Sequence, residues 1–428
     1  MTIQNPPSGT IRATLRYPAF RRLLSALAVS QIGDWAYNLA LVVLVYDRTH
    51  SALWVGVTTA ARVVPIVALG PLGGVLADRF DRRRIMITSD VARMGLMLLL
   101  AAVAAARLPI LLAPVIAAMA TAAAAPYLPC VSAITPRVVD DADLPSANAA
   151  RSAVASTGII LGPALGGVLL LLGSPAFAFA VNALTFGLSA LAVLAIRAGS
   201  ARSAFRCARS ADRPAGLLRN VVRGAAALRA RPEALRLVGA DIMCSVMYGT
   251  QTVLLLVVSR QIGLGTQGYG YLFAGIGAGG LLGTALAGRA SRSRCPRHVL
   301  ALALAAAGLP MPLLAVVHWP AVAIFLTGLT GAGALLVEIL TETVLQRTLD
   351  EDTFGSAYGL ALPASLGGIV AGSLIAPALV GVLGGPGALV AVGCAVLAYA
   401  LVVLRGAVRV PGTIRPSRPA VADVAAAR

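Results

Sequence analysis

Twelve long apolar runs decide most of what this chain can fold into. They fall near residues 23–46, 53–77, 85–106, 110–136, 146–172 and 176–196, then 236–258, 267–288, 299–318, 320–346, 355–383 and 386–404. A hydrocarbon core about 30 Å thick is crossed by roughly 20 apolar residues in a helix, so each run is long enough to span it. Inside lipid every backbone polar group must be satisfied within the protein, which leaves helices and closed barrels. The runs lack the two-residue alternation in ~10-residue segments that barrel strands need. The expected fold is therefore an all-α membrane protein with twelve transmembrane helices. Composition agrees, since 12% of residues are charged against about 25% in soluble domains.

The charge that remains is distributed by topology. All 35 basic residues are Arg, and the net charge is +18. If both termini face the cytoplasm, 29 arginines lie in cytoplasmic segments and three (Arg48, Arg107, Arg260) on the far side; Arg62, Arg93 and Arg151 fall within spans. That asymmetry is the positive-inside pattern. It accounts for the basic charge without a nucleic-acid partner, and a multi-pass cell-membrane location is expected. The absence of Lys removes the phosphate-loop lysine of an ATPase. The five cysteines are scattered without a CxxC, and the three histidines form no ligand pattern, so no cofactor and no metal are expected.

The basic stretch before Leu23 leads into an apolar run too long for a signal-peptide core, so it reads as an uncleaved first span. The boundaries expected are an N-terminal cytoplasmic segment (1–22), a first six-helix bundle (23–196), a cytoplasmic linker (197–235), a second six-helix bundle (236–404) and a cytoplasmic tail (405–428). In the linker Leu217, Leu218, Val221, Val222, Ala225 and Leu228 recur at helical spacing between Arg219, Arg223 and Arg229. That pattern suits a helix lying on an anionic leaflet, or a solvated connection.

The halves are similar to each other. Arg137-Val-Val-Asp140-Asp141-Ala-Asp143 lies 210 residues before Arg347-Thr-Leu-Asp350-Glu351-Asp352, and at the same offset Gly158 and Gly162 meet Gly368 and Gly372. Pro18 and Leu23 recur as Pro232 and Leu237. The acidic clusters cannot come from Ala/Leu low complexity, so the pattern is read as a duplication. Two pseudo-symmetric bundles that rock around a midplane site are one architecture of alternating access.

Between the second and third spans stands Gly70-Pro-Leu-Gly73-Gly74-Val-Leu-Ala77-Asp78-Arg79-Phe-Asp81-Arg82-Arg83-Arg84. This resembles the GxLaDrxGrr loop signature of the major facilitator superfamily, with Asp81 in place of the second Gly. The resemblance implies that Gly74, Asp78, Arg79 and Arg82 belong to a conformational latch at the cytoplasmic face, with Asp140 the candidate partner of Arg82. Asp90 and Arg93, near the inner end of span three, are expected to pair within the same latch. Gly158, Gly162, Pro163, Gly166 and Gly167 resemble the gxxxGPxxGG signature of antiporter members; small residues every four positions let helices close together and Pro163 kinks the helix. Ser30-Gln31-Ile32-Gly33-Asp34, Pro126-Tyr-Leu-Pro129 and Ala180-Val-Asn182 look like the exporter branch that includes macrolide and siderophore efflux proteins. One departure is that residues 110–136 carry no charge, where multidrug/proton antiporters usually have an arginine in span four.

Ionisable groups inside a membrane face a cavity or a partner. Asp34 lies mid-span with Asn38 one turn on, and Arg62 differs from it in depth by roughly 4–5 Å at 1.5 Å per residue, within reach of a pair. Burial favours a neutral carboxyl and a nearby cation the ionised one, so helix movement can switch the proton. Proton coupling, contact with a cationic substrate and a static pair remain open readings. Glu338 and Glu342 are one turn apart; coupling and structural roles stand level for Glu338, and a structural role is favoured for Glu342. Asp241 is a further latch candidate. Tyr127, Tyr248 and Gln251 are candidates to line the central cavity. The GxGxxG at Gly275 sits inside an apolar span and reads as helix packing.

The function expected is secondary transport without enzymatic activity: export of a small amphipathic molecule by proton antiport. Small-molecule substrate, protons and membrane lipids are its partners, and the chain acts as a monomer. Uptake or facilitated diffusion by the same fold is an alternative. An intramembrane enzyme acting on lipid diphosphates is a more distant one, requiring the acid clusters to bind a divalent metal.

Overall fold

The computed structural model describes residues 14–196, 225–226, 228–265, 268–290, 296–348 and 351–405. Regular structure among them is helical. The first half comprises α1 (Pro18–Thr49), α2 (Ala52–Arg79), α3 (Arg82–Ala105), α4 (Leu112–Ala124), α5 (Tyr127–Val138), α6 (Leu144–Leu172) and α7 (Pro175–Leu194). The second comprises α8 (Pro232–Gln261), α9 (Gly268–Ala290), α10 (Pro296–Gly308), α11 (Pro310–Leu314), α12 (Pro320–Thr348) and α13 (Glu351–Arg405).

Ten stretches among the described residues are long and apolar enough to cross a membrane. One of them, Gly359–Arg405, has 47 residues, about 70 Å of helix at 1.5 Å per residue, far more than one crossing needs. It is divided at Gly384, whose backbone (φ 72°, ψ 171°) lies outside the helical region at a positive φ open essentially to glycine alone. Counting its two arms separately, and adding the 29-residue α6, gives twelve crossings. The fourth crossing is α4 continued by α5 across Ala125-Pro126, and the ninth is α10 continued by α11. Proline opens α1 and α8 at the first helical turn, where its missing N–H costs nothing, so the repeated Pro18 and Pro232 mark equivalent helix starts.

The duplicated glycines do the same work in both halves. In α6 the Cα hydrogens of Gly158, Gly162 and Gly166 lie against Gln31, Trp35 and Ala36 of α1. In α13 Gly368 and Gly372 lie against Ser245 and Val246 of α8. A Cβ on Gly372 would fall 2.9 Å from the carbonyl carbon of Val246 and 3.0 Å from the Thr250 nitrogen, both backbone atoms. Backbone approach of this kind is how helices associate where lipid removes the hydrophobic drive. The Gly275 motif likewise packs α9 on α12, with Gly279 against Gly328.

The halves meet at the face bearing Thr49 and Gln261. Leu39–Val45 of α1 and Gln251–Leu256 of α8 are buried on every side. Gly167 of α6 abuts Gly270 of α9, and Gly56 of α2 abuts Ser373 of α13. The Arg260 guanidinium sits 4.5 Å over the Tyr46 ring. The molecule is therefore sealed at that face. Of the linker, only its last residues are described: Leu228 is buried with Val238, Leu345 and Ala361 under the second bundle. The rest of the expected interfacial helix lies outside the described residues.

Candidate functional site

Two sites emerge, one in each half. In the first bundle, Arg93 occupies the middle of α3 and is 3% exposed. Its Nη2 donates to Asp90 Oδ1 at 2.5 Å and its Nη1 to Asp34 Oδ2 at 3.3 Å. The guanidinium lies 4.2 Å from the Phe186 ring centroid and 4.9 Å from that of Tyr127. Ser189 of α7 donates to Asp90 Oδ2 at 2.7 Å, and its oxygen is 3.0 Å from the Tyr127 hydroxyl. Four crossings thus converge on one cation. Desolvating a guanidinium is tolerable here because its charge is matched and its faces are stacked on rings.

The two carboxylates are held differently. The Asp90 side chain is fully buried, while that of Asp34 is 30% exposed. Asp90 keeps a short bond to Arg93 and a hydroxyl donor on its other oxygen. Asp34 has one longer contact and an open side. With both ionised the triad carries a net charge of −1; a proton on Asp34 brings it to zero while Asp90 still neutralises Arg93.

This differs from the expected arrangement at three points. Depth along the bilayer suggests Arg62 as the partner of Asp34, but Arg62 makes no ion pair within 4.0 Å among the described residues, and its Nε has no hydrogen-bond partner. Asp90 and Arg93, expected in the cytoplasmic latch, belong to the core triad instead. Tyr127 is buried against Arg93 and Ser189 rather than lining a cavity. The Asp90/Arg93 spacing of three was legible; the α1 and α7 faces that complete the site were not.

The second site is a cavity of about 290 Å³ between α8, α9, α12 and α13. Tyr248 and Gln251 line it, together with Phe273, Asp241, Glu338 and Glu342. Ser365 donates to Asp241. Asp241, a latch candidate from sequence, therefore faces a cavity. Trp35 of α1 contributes the first bundle's wall, one residue from Asp34. Tyr248 and Phe273 stand edge to face at 6.2 Å. Asn38, half-buried, faces neither site through a side-chain hydrogen bond among the described residues.

At the face opposite the seal, Asp140 takes Arg16 and Tyr17 rather than the expected Arg82. Arg16 lies 3.7 Å from Asp140 and 2.8 Å from Asp143, and the Tyr17 hydroxyl donates to Asp140 at 2.7 Å. That acceptor holds the Tyr17 phenol above its ordinary pKa. Arg82 is buried, its Nε donating to the Ala77 carbonyl at 3.1 Å. Arg79 is exposed. Gly74 and the side chains of Asp78 and Pro163 lie outside what the structure describes.

A buried charge triad beside a cavity, between two glycine-stitched six-helix bundles sealed at one face, defines a membrane carrier. The chain matches the Major Facilitator Superfamily over residues 23–365, and it belongs to that family of transporters. It is 27% identical over 347 residues to the MFS-type transporter YfiS of Bacillus subtilis (strain 168), covering 79% of this chain and 81% of that one. It is 25% identical over 220 residues to the multidrug efflux pump Tap of Mycobacterium bovis (strain BCG / Pasteur 1173P2), half of this chain and 51% of that one. The nucleoside transporter NupG shares the fold, with a TM-score of 0.68 at 14% identity over 90% of this chain and 97% of that one.

Proposed function

We propose that the protein exports small amphipathic molecules across the cell membrane in exchange for protons, with both termini cytoplasmic and the single chain as the working unit. The observation that carries this reading is the unequal triad. Asp90 fixes Arg93, and Asp34 is the loosely held, partly open carboxylate whose neighbour Trp35 touches the cavity. Protonation of Asp34 removes its attraction to Arg93 and frees α1 from α3. Cargo against Trp35 acts on the same helix from the other side. Proton and cargo thus bias one element between two packings, which is what coupling requires.

The arginine asymmetry supports reading the sealed face as the exterior one, the state in which an exporter loads. The relationship to Tap supports outward movement.

The test is cargo-dependent proton movement in sealed vesicles containing the purified chain, followed with an internal pH dye, for wild type and Asp34→Asn. The substituted protein should still bind cargo and lose coupled proton flux. Exchange by Asp34→Asn at the wild-type proton ratio would remove Asp34 from the mechanism.

A further inference from the structure

We infer that the cavity of the second bundle selects organic cations that carry an aromatic or aliphatic body. This names the cargo class of the transport reading above and rests on it. The cavity is lined by the second bundle and by Trp35 of the first, and holds about 290 Å³, close to the lower bound for small-molecule sites. Its walls divide into two kinds. Trp35, Tyr248 and Phe273 supply aromatic rings, the last two edge to face. Asp241, Glu338 and Glu342 supply carboxyl groups.

No Arg, Lys or His lines this cavity among the described residues. The charge is thus one-sided. The first bundle matches its two carboxylates with a buried guanidinium; the second leaves Asp241 with a serine donor and Glu338 with no hydrogen bond among the described residues. A carboxylate facing a cavity within a membrane is costly unless it takes up a proton or a cation arrives, and an organic cation supplies the second route. Aromatic faces attract the same cation through their quadrupoles and bury its apolar body.

An organic cation fits better than a metal ion. Among the described residues no three metal-ligating side chains converge, and the apolar wall would be wasted on a hydrated ion. An anion would be repelled by Asp241 and Glu338. Neutral amphiphiles could satisfy the rings and would leave the carboxylates uncompensated.

Cys244 provides a reporter on the unmodified chain, since it lines the cavity and is 6% exposed. The probes are benzyltrimethylammonium and its neutral counterpart benzyl alcohol. In nanodiscs, alkylation of Cys244 by a small maleimide, read by peptide mass spectrometry, should slow at least fivefold in the presence of the cation. Benzyl alcohol at the same concentration should leave the rate unchanged. Calorimetry should show the cation binding at least tenfold more weakly to the Asp241→Asn/Glu338→Gln protein, with Cys244 alkylation at the wild-type rate in the absence of ligand confirming that the variant is folded. Equal protection by both probes, or undiminished affinity in the double variant, would overturn the assignment. Cation binding without cation-driven proton movement in vesicles would leave the cavity's selectivity standing and defeat the export reading instead.

Discussion

Replacing Arg93 with Met is the most demanding probe of the buried triad. Met occupies a similar path through the α3 interface but carries no charge. The substitution strands two carboxylates, and their environments set unequal costs. Asp90 is fully buried and loses a 2.5 Å charge-assisted bond, keeping only the Ser189 hydroxyl. Removing one partner of such a buried pair typically costs about 3–5 kcal/mol, because the remaining charge is left uncompensated. Asp34 loses a 3.3 Å contact and is 30% exposed, so hydration limits its share to under about 1 kcal/mol. The sum corresponds to a fall of roughly 3–7 °C in apparent melting temperature for a chain of this size. If charge is the cause, the deficit is repairable without restoring Arg93. The triple substitution Arg93→Met/Asp34→Asn/Asp90→Asn should recover most of it, and Arg93→Met/Asp90→Asn should recover more than Arg93→Met/Asp34→Asn. Differential scanning fluorimetry in one detergent on all variants reads these differences as a double-mutant cycle. A loss below about 1 kcal/mol in Arg93→Met, or a triple variant as unstable as the single one, would refute the claim that charge matching organises this core.

Other consequences are more local. Gly372→Val places side-chain atoms on the Val246 and Thr250 backbone, which cannot rotate away; a loss of about 1–3 kcal/mol and poor yield of folded protein are expected. Gly95→Ala has nothing within 4 Å of the new Cβ and should be neutral or gain up to about 1 kcal/mol, so both variants measured by thermal aggregation separate packing from helix propensity. Gly270→Val drives a side chain against the Gly167 Cα, 2.8 Å from the first added carbon, and should wedge open the sealed face. In a Leu39→Cys background, where residue 39 is now 3% exposed, that wedge should expose the thiol to an impermeant maleimide added from the Thr49 side; unchanged reactivity would show that this contact does not gate the face.

The expected spans and the observed helices agree because hydropathy is read along one axis, and a membrane imposes that axis on the chain. The break between the last two crossings was visible as Gly384-Gly385-Pro386, residues that interrupt apolar continuity. The glycine ladder was visible too, since close helix approach needs small residues at a fixed interval wherever it occurs. What those glycines touch was not visible, because spacing identifies a face of a helix and says nothing of which neighbour meets it.

The charged core shows the same boundary. Sequence by itself determined that Asp34, Arg62, Asp90 and Arg93 lie within spans, and the duplication implied two matched bundles. Tertiary structure alone decided that Arg93 and not Arg62 takes Asp34, that Tyr127 stacks on that cation, and that Asp241 and Glu338 face a cavity that Trp35 also lines. Depth in the bilayer follows from counting residues at 1.5 Å each. Direction around the helix matters only relative to other helices, and their placement is set by backbone contacts distributed over hundreds of residues.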